Sequence, residues 1–95
     1  MGAIDFKHRV KASKDVVTKH LDDEMVILDL ASESYFGLDD VGTVMWEQLT
    51  AAGSIEQAYR ALLGQYDVEP ETLRADLNTL LEQLLAQRLV ELSET

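Results

Sequence analysis

Residues 25–46, MVILDLASESYFGLDDVGTVMW, change hydrophobic period within one short stretch. Val26, Leu28 and Leu30 alternate with Met25, Ile27 and Asp29. A strand here carries apolar side chains on both faces. Residues 31–34 have turn composition, and Tyr35-Phe36 opens a second, shorter strand. Asp39 then stands where a helix cap belongs, ahead of Val41, Val44, Met45 and Trp46. The chain must therefore run from a hairpin almost directly into a helix. A short strand at the end of a small sheet, backed by helices, leaves backbone donors and acceptors unpaired. Another peptide can add itself as a strand at such an edge.

The rest of the chain supplies the remaining elements. Residues 7–11 are polar and read as extended. Val16, Val17 and Leu21 predict a first strand, and Asp22-Asp23 a turn into the strand over residues 24–30. A first helix spans about residues 40–52 and stops at Gly53. Ser54 caps a second helix, with Glu56 and Gln57 near the capping-box position. Its apolar face is Ile55, Ala58, Tyr59, Leu62 and Leu63. Gly64 and Tyr66-Asp67 loosen its end. Pro70 suits the first turn of a third helix, which runs to about Arg88. Residues 89–92 read either as the end of that helix or as a short extended tail.

The third helix is unusually rich in leucine. Leu73, Leu77, Leu80, Leu81, Leu84 and Leu85 cover an arc of roughly 140° at 100° per residue. Docking on a core needs only about 100° of apolar stripe. One reading wedges the helix between a sheet and two other helices; the other lines a groove beside the edge strand with one margin of the stripe, docking through Leu80 and Leu84 and showing Leu73 and Leu77 to a ligand.

Ninety-five residues make one domain with one core. No apolar run approaches the ~20 residues that span a bilayer. The N-terminal segment has no hydrophobic signal region, so a cytoplasmic protein is expected. Met1-Gly2 opens the chain, but Phe6 stands where an acylation signal wants Ser or Thr. The net charge of −10 is unevenly placed. Residues 1–20 hold five Lys/Arg against Asp5 and Asp15; residues 21–95 hold Arg60, Arg74 and Arg88 against sixteen carboxylates. That balance suits a basic or neutral peptide partner. It argues against double-helical DNA, which demands a cationic face.

Catalytic patterns are hard to find. There is no cysteine, so no disulfide, thiolate nucleophile or thiolate metal site. His8 and His20 lie in the basic N-terminal section, too sparse for a metal site. No serine has a GxSxG context. Asp22, Asp23 and Glu24, like Asp39 and Asp40, read as turn and cap residues. The glycines form no phosphate-cradling loop. Trp46 and Tyr59 sit at apolar helical positions and read as core.

The runs Val26-Ile27-Leu28-Asp29-Leu30, Tyr35-Phe36-Gly37-Leu38, Val41-Gly42 and Val44-Met45-Trp46 resemble the PqqD-like family, the RiPP precursor recognition elements. Ser54-Ile55, Tyr66-Asp67-Val68 followed by Pro70, and the leucine-rich last helix extend the resemblance over about residues 16–92. It implies an α+β fold resembling a winged helix-turn-helix, with a three-stranded antiparallel sheet packed on three helices in a single domain. It implies no catalysis and no cofactor or metal. The implied partner is the leader segment of a ribosomally made precursor peptide. The leader pairs as a fourth strand with the third strand of the sheet, lies against the third helix, and is delivered to a modifying enzyme.

Carried over residue by residue, the resemblance puts the edge strand at Ser34, Tyr35, Phe36 and Gly37. It draws the helix wall from Leu73, Asp76, Leu77, Leu80 and Leu81. Tyr35 and Phe36 point to opposite faces, and which one faces the helices is open at this point. A free-standing domain of this size most resembles the leader-binding proteins of lasso-peptide biosynthesis, whose partner is a leader peptidase. The alternative is a pyrroloquinoline quinone chaperone that serves a radical enzyme. A winged-helix DNA-binding regulator is a further one. Neither nucleic acid nor membrane is an expected partner.

Overall fold

The computed structural model describes residues 4–94; the reading of Met1-Gly2 lies outside them. In chain order the elements are β1 (Arg9–Ala12), β2 (Val16–Leu21), β3 (Glu24–Asp29), β4 (Ser34–Leu38), α1 (Asp40–Ala51), α2 (Ile55–Gln65), α3 (Pro70–Ala86) and β5 (Val90–Ser93). Strands β2, β3 and β4 form the expected three-stranded antiparallel sheet, with β3 central.

Local chemistry explains the junctions. Leu21 pairs with Glu24 across a two-residue turn, where Asp22 takes a left-handed backbone with φ of 59°. Asp tolerates that region because its short side chain bonds locally. The turn from β3 to β4 is tied by Asp29, whose carboxylate accepts from the Ala31 amide at 3.1 Å and from the Ser32 hydroxyl at 2.9 Å. Asp39 caps α1 by accepting from the Gly42 amide at 2.7 Å. Ser54 caps α2 by accepting from the Gln57 amide, and Gln57 accepts from the Gly53 amide in return. The pair is a variant of the capping box: Gln57, in the third helical position, reaches back to the amide one residue before the cap.

The N-terminal segment and the chain end depart from the expectation of simple extended tails. They pair antiparallel as a separate two-stranded ribbon, with Val10 opposite Leu92 and Ala12 opposite Val90. Val10, Val90 and Leu89 are buried core residues, and so is Phe6. The backbone carbonyls of Phe6 and His8 accept from the Glu56 and Ile55 amides, satisfying two of the open donors at the start of α2. The Arg74 guanidinium lies 4.2 Å from the Phe6 ring centroid and 5.0 Å from that of Tyr59. Its Nη1 approaches Glu56 at 3.4 Å. The N-terminal segment is thus strapped across α2 and α3.

The third helix ends at Ala86, earlier than its leucine pattern suggests. Arg88 adopts φ of 61°. The Arg88 amide donates to the Leu85 carbonyl and the Leu89 amide to the Leu84 carbonyl, at 3.0 and 2.9 Å. This is a complete Schellman stop, with arginine where glycine is usual. Of the two readings for residues 89–92, the extended one holds.

The core gathers Met25 and Ile27 from β3 with Leu49 of α1, Leu62 of α2 and Leu77, Leu81 and Leu84 of α3. Trp46 and Tyr59 are buried in it, as expected. His20 of β2 approaches Glu47 of α1 at 3.7 Å, so α1 lies over the same sheet face as His20.

Candidate functional site: the β4 edge and the α3 stripe

Strand β4 pairs with β3 on one side and with no strand on the other, among the described residues. Its free backbone groups form the edge expected from the sequence. The register sorts its side chains. Phe36 sits opposite Ile27, which is fully buried, so Phe36 faces the helices. It is half-buried and packs against the core. Tyr35 sits opposite Leu28 on the outer face and is 75% exposed. Ser34, at the start of the strand, shares a 2.7 Å hydroxyl contact with Ser32. Gly37 is exposed and sits opposite Val26, also on the outer face.

The helix wall needs a correction. Leu73 and Leu77 are 3% and 0% exposed, so the free protein does not show them to a ligand. The whole set Leu73, Leu77, Leu80, Leu81 and Leu84 is core. The stripe is buried in a core that joins Met25 and Ile27 of the sheet, Leu62 of α2, and Phe6, Val10 and Val90 of the terminal segments. Leu80, at 9%, is the least buried of that set, and half-buried Leu85 continues the margin of the stripe. Asp76 is exposed; it lies three residues after Leu73 and four before Leu80, next to both on the helix surface.

The C-terminal end of α3 reaches the hairpin. Leu85 and Arg88 share a cleft of about 400 Å³ with Asp29 and Ala31 of the turn from β3 to β4. Ser13, Lys14 and Asp15, ahead of β2, line the same cleft. Among the described residues no three His, Cys, Asp or Glu side chains group as metal ligands. None of their buried side-chain nitrogens or oxygens lacks a partner. No described helix is long and apolar enough to cross a membrane. The site therefore offers a backbone ladder, an apolar margin and a rim of carboxylates, which together suit an extended peptide.

Comparison with known proteins agrees with this geometry. Residues 24–90 match the family model described as coenzyme PQQ synthesis protein D, PqqD. No curated protein sequence matches. Among solved structures the chain is similar to TbiB1, in a structure described as TbiB1 in complex with the TbiA(beta) leader peptide. The two are 38% identical with a TM-score of 0.79, over 85% of this chain and 94% of that one.

Proposed function

The chain belongs to the PqqD family, and from that premise we propose that it binds the leader segment of a ribosomally made precursor peptide and presents it to a modifying enzyme. The observation that carries this reading is the open β4 edge, in a chain 38% identical to a protein solved with a leader peptide. The leader adds as a fourth strand beside β4. Main-chain hydrogen bonds with Ser34, Tyr35, Phe36 and Gly37 give register and affinity, and alternate side chains give specificity. Inward leader residues meet Phe36 and the margin of α3 at Leu80. Leu73, Leu77 and Leu81 act from the core by holding that helix in place. Asp76 stands at the rim.

The protein does no chemistry of its own on the peptide in this reading. It works in the cytoplasm, and its second partner is the enzyme that receives the leader, a leader peptidase of lasso-peptide biosynthesis. The alternative follows from the matched family's description: a chaperone in pyrroloquinoline quinone synthesis that serves a radical enzyme.

The test is amide hydrogen exchange during titration with the leader of the precursor encoded beside this gene. Binding at micromolar affinity or tighter, about −8 kcal/mol or better, is expected. The free-edge amides within residues 34–37 then gain protection, and mass spectrometry recovers the peptide intact. Binding without protection in β4 would exclude strand addition, and cleavage by the protein alone would exclude a non-catalytic carrier.

A further inference from the structure

Gly37 is the residue of β4 that the fold itself does not explain. It has no left-handed φ. A Cβ built on it meets nothing within 4 Å, whereas one on Gly53 would come within 3.0 Å of the Gln57 side chain. Glycine inside a strand gives up backbone entropy and offers no side chain to pack. A free sheet would gain from almost any other residue here. Glycine in a strand also marks a place where another chain comes close.

The outer face around it is shaped for contact. Gly37, Val26 and Leu21 line a depression of about 240 Å³ at the end of the sheet. That is several times the ~30 Å³ share of one water. Leu21 is half exposed, although it lies on a folded sheet. The register places Lys19, Val26 and Gly37 in one cross-strand row and Val17, Leu28 and Tyr35 in the next. Lys19 and Glu24 are the charged residues that the three strands place on this face, and Glu24 and Asp39 also line the depression. The row through Gly37 is open at the β4 edge, and its other end, at Lys19, lies on the second edge strand, β2.

The geometry points to a subsite on the outer face of the sheet for one large apolar side chain of the leader, laid across Gly37 onto Val26. This rests on the strand-addition reading and says what the added strand must carry. The leader residue in register with Gly37 is aromatic or a large aliphatic. With no Cβ beneath it, its side chain lies flat into the depression rather than standing upright. Aromatic residues beside edge glycines are a known means of pinning register. Tyr35 walls the same side chain on the next row. The leader is thus held on both faces, by Phe36 and the α3 margin inside and by Gly37 and Val26 outside.

The test is titration of wild type, Gly37→Ala and Gly37→Val with the leader encoded beside this gene, with the TbiA(beta) leader as a second probe. Both variants keep the wild-type circular dichroism and melt no lower, because the added atoms meet open space. Affinity falls in steps with side-chain size, about threefold for Ala and about tenfold or more for Val. An alanine scan of the peptide finds one large apolar residue whose truncation weakens wild type about tenfold but Gly37→Val by less than about twofold. Wild-type binding with Gly37→Val unaffected overturns the subsite and leaves strand addition standing. Equal losses for Ala and Val also overturn it, since a backbone effect does not grow with size. No binding of either leader by wild type removes the leader reading, and the subsite with it.

Discussion

Tyr35 and Phe36 are neighbours in β4 and turn their rings to opposite sides of the sheet, Tyr35 into solvent and Phe36 onto the core. The pair separates folding from recognition. Phe36→Ala should cost about 1–2 kcal/mol of stability, less than the 3–5 of a fully buried ring. Tyr35→Ala should stay within about 0.5 kcal/mol. Urea unfolding of the two variants reads this directly. A larger loss for Tyr35→Ala than for Phe36→Ala would mean that the strand is set in the other register, since a one-residue slip exchanges the faces.

The stop of α3 makes a prediction of its own. Arg88 pays a backbone cost for φ of 61°, about 1–2 kcal/mol for a residue with a Cβ. Glycine has no such cost but loses more freedom on folding, which offsets part of the gain. Arg88→Gly should raise stability by about 0.5–1 kcal/mol, and Arg88→Val, β-branched, should lower it. Chemical denaturation midpoints for the two would move in opposite directions. A lower midpoint for Arg88→Gly would show that the arginine side chain contributes more than its backbone costs.

Burial of the α3 stripe predicts how its leucines respond to truncation. Leu77 is fully buried, so Leu77→Ala leaves a cavity and should cost about 2–5 kcal/mol of folding stability. Leader affinity, measured where the variant is still folded, should change by less than about 1 kcal/mol. A large loss of affinity with an unshifted thermal melt would put Leu77 back into direct contact with the peptide.

Much of this fold is legible in the sequence. The period change at residues 25–46 fixes the hairpin and the helix after it, because Asp29 and Asp39 carry turn and cap chemistry in their own side chains. Ser54 and Gln57 mark the start of α2 in the same way. What was hidden depends on partners far apart in sequence. Val10 is a lone apolar residue among Lys7, His8, Arg9 and Lys11, and its burial depends on β1 pairing with β5 and packing against α1. The leucine stripe is buried in a core drawn from the sheet, α2 and the terminal segments, so the exposure of Leu73 and Leu77 could not be judged from α3 alone. The end of α3 was obscure because its left-handed residue is arginine, which carries no stop signal. The orientation of Tyr35 and Phe36 needed the cross-strand partner Ile27. The open space over Gly37 left one trace, the apolar residues on both faces of β3.

Asp76 tests the rim. It is exposed on α3 beside Leu73 and Leu80, and it forms no ion pair among the described residues. A carboxylate at the mouth of a peptide groove steers a basic segment of the incoming chain, and rim charges act mostly on association rate and its dependence on salt. Asp76→Asn should therefore slow association by about two- to fivefold at low ionic strength and flatten the salt dependence, with little change in dissociation. Glu82 lies about 120° further round the helix, so Glu82→Gln removes the same charge from the chain without touching the rim. Both variants should melt within about 0.5 kcal/mol of wild type, as exposed substitutions do. Stopped-flow association at low and high salt compares them. Equal salt slopes for the two variants would assign the steering to the net charge of −10 as a whole, and none of it to Asp76.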